Sequence, residues 1–428
     1  MSTLRRLARG TAVVFAGNAV SAALGFLVFV MLVRTLSPAD FGRLAPLISV
    51  LDIGQILMDM VIGGGTLVFA SRYIKTDGVR ADMAFKIAFW ARVAVAVAVA
   101  LVGLAAAPWM SVWLFDNTAS ANALRLAFFG ILGVAVYTSC ISVLQSRQRF
   151  LPLAGVILYK NVLRLAAVAA VLYFGVLSVE SALWVFVGSM FAAAALAAVS
   201  VSQRYLATPG FDRGVARELL QTNKWMLVLL VILVVGARLD VFMLANLSSV
   251  EEVARYAAAF QLSSVVAIFS QTLVTTLFPE IAGLNGPEAI RRFVRSYLKL
   301  VPLLALPIIA LVALSPWVIS VLLGPRYAAA SPVFSTLLTL AFITLLSNPL
   351  LMALFPMGKV RFLAMANTVQ VIARVGLNLV FLPLYGALGA AFIDLGTKLV
   401  MVAAVVGYIV WQVAVKRVPA AAAPERTA

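Results

Sequence analysis

Apolar runs of membrane-span length recur along almost the whole chain, and this leaves few folds open. A helix needs roughly 20 apolar residues to cross about 30 Å of hydrocarbon. Twelve such runs can be marked, near 11–33, 44–70, 84–107, 122–144, 150–173, 180–202, 222–245, 253–279, 293–314, 329–355, 360–382 and 387–412. Hydrophobic residues make up 64% of the sequence, against about 45–50% in soluble domains. The connections are too short for a soluble domain. Lipid offers backbone amides no partner, so each run must close its hydrogen bonds internally, as a helix. The expectation is an all-α integral membrane protein with about twelve transmembrane helices.

A net charge of +17 invites a nucleic-acid reading, but the basic residues form no single patch. They sit in short clusters between apolar runs, as topology signals do. The sequence has no histidine and one cysteine, Cys140, inside an apolar run. A histidine metal site, a Cys metal cluster and an internal disulfide are therefore excluded. Cys140 reads as a small buried hydrophobe. Arg5, Arg6 and Arg9 resemble the basic head of a signal peptide. The run after them is of full span length and has no small-residue cleavage site, so it reads as a retained first span. An even number of spans puts both termini on one side. That side collects most of the basic residues, including Arg72, Lys75, Arg147, Arg204, Arg213, Arg291, Arg295 and Lys359. The other keeps Arg34, Arg43, Arg125, Arg255 and Arg326. The positive-inside rule then makes both termini cytoplasmic, with 419–428 a disordered cytoplasmic tail.

An internal repeat divides the chain. Met31-Leu32 returns as Met243-Leu244, and Asp40-Phe41-Gly42-Arg43-Leu44-Ala45 as Glu252-Val253-Ala254-Arg255-Tyr256-Ala257, both 212 residues on. Phe174-Gly175 returns as Tyr385-Gly386 at 211. Six spans bring the chain back to its starting side, so the halves run parallel, as lobes 1–210 and 211–418. Transporters use such repeats, with the substrate between them. Gly17, Ser21 and Gly25, at i, i+4 and i+8, read as a helix-packing face. Gly63-Gly64-Gly65 and prolines 302, 307, 349 and 356 supply either hinges or static kinks.

Three stretches carry a resemblance. The first is Gly17-Asn18 with Leu32-Val33-Arg34-Thr35-Leu36-Ser37-Pro38-Ala39-Asp40-Phe41-Gly42. The second is Arg238-Leu239-Asp240-Val241-Phe242-Met243-Leu244 with Tyr256-Ala257. The third runs from Asn378-Leu379 through Pro383-Leu384-Tyr385-Gly386-Ala387-Leu388-Gly389. In order and spacing they resemble the polysaccharide transporter, or O-antigen flippase, family. Its superfamily is that of the multidrug, oligosaccharidyl-lipid and polysaccharide exporters. The resemblance implies two six-helix bundles around a central cavity in the bacterial inner membrane. It also implies a cargo of undecaprenyl-pyrophosphate-linked oligosaccharide for O-antigen, capsule or exopolysaccharide, with other polysaccharide-assembly membrane proteins as possible partners. Multidrug exporters share the fold, so fold alone does not choose the cargo.

Charged side chains inside the runs narrow the chemistry, because each costs roughly 2.5–3.5 kcal/mol at mid-bilayer. The basic ones are Arg92, Lys160, Arg164, Arg238, Arg374 and Lys398, and the acidic ones Asp52, Asp59, Asp240 and Asp394. Lys160 and Arg164 lie one turn apart on one face and repel unless an anion sits by them. A pyrophosphate serves, and arginine suits it through its bidentate fork. Asn367, Gln370, Arg374 and Asn378 form a second polar stripe, its amides suited to sugar hydroxyls. At offset 210 Arg164 matches Arg374. The alternative is that Lys160 snorkels from a helix end and Arg374 pairs with a buried acid. Arg92 and Arg238 complete the expected anion-binding set.

Asp52, Gln55 and Asp59 make an acidic stripe confined to the first half. Without histidine, Asp52 or Asp59 is the expected carrier of a coupling proton or Na⁺, or else a structural partner of Arg92. Arg238 and Asp240 point about 200° apart, so each needs another partner, and Asp240 joins the coupling candidates. Asp394 and Lys398, at i, i+4, read as a structural ion pair. No cofactor or resident metal is expected. A polymerase or ligase needs a large outside loop with clustered reactive groups, and none is present, so the chain reads as no enzyme. A cation-coupled multidrug exporter is the rival, but six intramembrane cations against four acids favour an anionic cargo.

Overall fold

The computed structural model describes residues 3–60, 66, 70, 73–74, 76–282, 287–299, 301–354, 357 and 359–415. Among these, every regular element is helical. The helices are α1 (Thr3–Thr35), α2 (Pro38–Met60), α3 (Gly78–Phe115), α4 (Ala121–Ser146), α5 (Phe150–Tyr173), α6 (Val179–Ser200), α7 (Arg213–Leu247), α8 (Val250–Ala282), α9 (Pro287–Leu298), α10 (Val301–Ala313), α11 (Ser315–Leu322), α12 (Ser331–Met352) and α13 (Val360–Val415). Short 3₁₀ turns occupy Gln203–Ala207 and Pro325–Ala330. Gly63-Gly64-Gly65, Pro356 and the tail 419–428 lie outside the described residues.

Nine stretches among the described residues are long and apolar enough to cross a bilayer. The last of them, Arg361–Gln412, has 52 residues and would be about 78 Å long if straight. It divides at Gly386, whose φ of 51° and ψ of −135° break the helix. A Cβ is not tolerated in that conformation, so the turn between the two expected spans depends on glycine. Helices α7 and α8, of 35 and 33 residues, are also longer than a crossing requires. The chain is an all-α, multi-pass membrane protein.

The span expected near 293–314 returns as Arg291–Ala313, one of the nine stretches. Within it the helix assignment is divided: the first part belongs to α9, an amphipathic helix that ends in a turn at Lys299, and α10 follows with Pro302 in its first turn.

Contacts divide the chain into two compact units, Met1–Ala254 and Arg255–Ala428. In the first, α4 packs on α2, α3 and α6, while α1 lies along α5 and α7 lies against α2 and α3. The Gly17–Ser21–Gly25 face of α1 meets α5, as expected for a packing face. A Cβ on Gly17 would stand 3.0 Å from the Ala154 Cβ. Ser21 Oγ donates to the Ile157 carbonyl at 3.3 Å and accepts from the Asn161 amide. This contact fixes the rotation of α5, the helix that carries Lys160 and Arg164. In the second unit, α12 packs on α13 and α10, and α9 touches α13.

The segment from Ser37 to Gly42 works as a helix start. Ser37 Oγ accepts the Asp40 amide at 3.0 Å and donates to the Asp40 carboxylate at 2.7 Å. Pro38 sits at the first helical position, where its missing N–H is harmless. Gly42 then lets α2 approach the start of α8. A Cβ there would stand 2.0 Å from the Val250 carbonyl oxygen. Backbone cannot rotate away as a side chain can, so Gly42→Ala is expected to cost about 1–3 kcal/mol. Thermal unfolding of the detergent-solubilised protein measures it, and unchanged stability would mean that the approach is loose.

Candidate functional site

The first unit gathers six of the residues expected from the sequence. Helix α2 supplies Asp52 and Asp59, α3 Arg92, α5 Lys160 and Arg164, and α7 Arg238. Asp59 lies in electrostatic range of Arg92 and Lys160. Lys160 in turn feels Arg164, Asp52 and Asp59, and Arg164 feels Asp52 and Tyr137. These side chains, drawn from four helices, form one charged cluster within an apolar bundle.

The cations in the cluster are held in different ways. Arg238 is ion-paired to Asp52, Nη2 to Oδ2 at 2.7 Å. Arg92 is 1% exposed. It donates from Nε to the Met58 carbonyl at 2.9 Å and from Nη2 to Ser142 Oγ at 3.1 Å. It therefore braces α2, α3 and α4 near the end of α2. Lys160 and Arg164 have no carboxylate within ion-pair distance among the described residues. Instead Lys160 Nζ lies 4.8 Å from the centre of the Tyr137 ring. The Arg164 guanidinium lies 4.1 Å from the Phe186 ring, and its Nε donates to Ser189 Oγ at 3.2 Å.

Magnitudes decide what this can do. A cation–π contact is worth about 0.5–2 kcal/mol, below the roughly 2.5–3.5 kcal/mol cost of a charge at mid-bilayer. The rings orient the two cations without neutralising them. Among these six side chains four are cations (Arg92, Lys160, Arg164, Arg238) and two are carboxylates (Asp52, Asp59), and even with Asp240, buried on the helix of Arg238, cations outnumber acids. A multiply charged anion is the ligand that such a cluster favours.

The second unit resolves the other arginine differently. Arg374 Nε forms an ion pair with Asp394 Oδ1, and Tyr256 donates its hydroxyl to Asp394 Oδ2 at 3.0 Å. Asp394 is 5% exposed. The expected Asp394–Lys398 pair is not made, because the two oxygens of Asp394 serve Arg374 and Tyr256. Spacing along a helix had suggested the i+4 neighbour, whereas the real partner lies across the Gly386 break. Of the remaining stripe, Asn378 is fully buried, Gln370 lines a groove of about 940 Å³ between the arms of α13, and Asn367 donates to the Leu363 carbonyl at 2.8 Å. Asp240 is buried in the first unit, 3% exposed.

Sequence reading missed the groups that hold these charges. Tyr137, Phe186 and Ser189 sit in apolar runs, where they look like ordinary packing. Tyr256 stood in the repeated segment and in a family-like motif, but nothing in that motif told of its carboxylate partner. The usable signal was a tyrosine hydroxyl within a span, which needs a polar partner there.

The sequence profile of a family described as "Polysaccharide biosynthesis protein" matches residues 31–332. No curated protein sequence matches. Among solved structures, the chain is similar to the lipid II flippase MurJ in an inward closed conformation. There the TM-score is 0.74 at 11% identity, over 92% of this chain and 87% of that one. It is also similar to an inward-facing multidrug resistance MATE family transporter of the MOP superfamily, with a TM-score of 0.75 at 13% identity over 94% and 99% of the two chains. At such identities the likeness is one of fold.

Proposed function

The chain belongs to the polysaccharide biosynthesis protein family, and on that premise we propose that it is a flippase moving undecaprenyl-pyrophosphate-linked oligosaccharide across the bacterial inner membrane. A single observation carries the reading. Lys160 and Arg164 lie in an apolar bundle on aromatic rings, with no carboxylate within ion-pair distance among the described residues. A pyrophosphate bears the charge they lack, and the arginine fork matches its oxygens. The prenyl chain would remain in lipid while the headgroup enters the protein. Two six-helix lobes, dividing near residue 210 with both termini cytoplasmic, would then rock to expose the headgroup to the other side.

Asp59, in electrostatic range of Arg92 and Lys160, is the favoured site for a coupling proton or Na⁺. Neutralising its carboxylate would change the balance that holds Lys160. Multidrug export is the weaker reading, because a cationic drug would meet a cluster already in positive excess.

The test uses proteoliposomes with lipid-linked oligosaccharide in one leaflet, with and without an imposed proton or Na⁺ gradient. Flipping by the wild type supports the proposal, and loss of its gradient response in Asp59→Asn supports the coupling site. Gradient-driven efflux of a cationic dye without flipping would replace this reading by multidrug export.

A further inference from the structure

We propose that α9 and the turn after it bind the phosphate of an anionic bilayer phospholipid, held by Arg291, Arg295 and Lys299. Helix α9 has two sharply different faces. Phe293 and Tyr297 are buried in a cluster with Ile281, against Leu273, Leu277 and Leu350. Their rings stack with centroids 6.0 Å apart, and the Tyr297 hydroxyl donates to the Leu345 carbonyl at 3.2 Å. The apolar face is thus already covered by protein. It is not available to sink into lipid, as the apolar face of a surface-bound amphipathic helix does. What α9 presents outward is charge.

Arg291 and Arg295 lie one turn apart on α9, about 6 Å along its axis, and Lys299 follows at i+8 in the turn after it. With Val294 they line a hollow of about 370 Å³. Among the described residues no carboxylate lies within ion-pair distance of any of the three. Three like charges around one hollow repel, and an anion that accepts hydrogen bonds from all of them relieves the repulsion. The place selects the anion. The helix leads, one turn later, into the apolar run of α10 and α11, so the hollow lies where a crossing begins. Headgroup phosphates are the abundant anions at that level. Arg292 is also exposed but lies about 100° around the helix from Arg291 and about 60° from Arg295, and it does not line the hollow. It separates a defined site from diffuse attraction of basic residues to an anionic surface, which depends on the number of charges and not on their placement.

The experiment is native mass spectrometry of the full chain released from detergent, offered phosphatidylglycerol or phosphatidylcholine with identical acyl chains. The wild type is expected to retain phosphatidylglycerol over phosphatidylcholine. Arg295→Gln should lower that retention roughly tenfold, as loss of a charge-assisted hydrogen bond implies, and Lys299→Gln should lower it in the same direction. Arg292→Gln should leave it unchanged. An equal fall in Arg292→Gln and Arg295→Gln, or equal retention of the two lipids by the wild type, would overturn the site. Inorganic pyrophosphate bound in preference to phosphatidylglycerol would reassign the hollow to cargo and overturn the bilayer-lipid assignment.

Discussion

Replacing Arg164 by alanine is expected to lower flipping of a pyrophosphate-linked cargo at least ~100-fold and leave the protein as stable as before. Two charge-assisted hydrogen bonds from one guanidinium to a phosphate contribute about 1.5–3 kcal/mol each, and 1.4 kcal/mol is a factor of ten. Stability should not fall, because among the described residues the side chain is anchored by one ring and one hydroxyl. Alanine there removes from an apolar bundle a charge that has no ion-pair partner among those residues. Arg164→Lys keeps the charge but loses the fork, so it should fall between the two. Lys160→Met should weaken transport by less, since a point charge gives no bidentate contact. A second readout needs no cargo lipid. Inorganic pyrophosphate should raise the unfolding temperature of the wild type by mass action and leave that of Arg164→Ala unmoved. Transport by Arg164→Ala at the wild-type rate would sink the assignment of the anion site.

The fold was legible because its main determinant is local. Twenty apolar residues in a row need no knowledge of their neighbours to be recognised as a span. The break at Gly386 was legible for the same reason, since Pro383 and Gly386 stand between two runs. The division of the run 293–314 into α9 and α10 was not legible. Phe293 and Tyr297 pack on Ile281 and Leu350, and hydropathy averaged along the chain does not separate that reason for being apolar from facing lipid.

Within the site, spacing found the charges but not their partners. Lys160 and Arg164 share a face because they are four apart, and the structure keeps them together. The pairing of Arg238 with Asp52 joins residues 186 positions apart, beyond the reach of any helical period. Offset 210 paired Arg164 with Arg374 along the sequence. It could not show that the first unit sets a serine, Ser189, against its arginine while the second sets a carboxylate, Asp394. That one difference gives the two arginines different electrostatic roles.

The second large effect follows from that difference. Arg374→Ala is expected to destabilise the protein by about 3–5 kcal/mol, because it leaves the Asp394 carboxylate buried with only the Tyr256 hydroxyl. For a unit of this size that lowers the unfolding temperature by roughly 10 °C. Asp394→Ala should do the same by stranding the guanidinium. The double change Arg374→Leu with Asp394→Leu should recover most of the loss, since two apolar side chains of similar volume remove both desolvation costs at once. The coupling energy from the complete cycle therefore tests the buried pair directly. Additive losses would mean that the two groups do not stabilise each other and that Arg374 is as open to an anion as Arg164. Strong coupling, together with transport that survives in the double variant, would put the anion-binding role on the first unit and leave the second arginine a structural one.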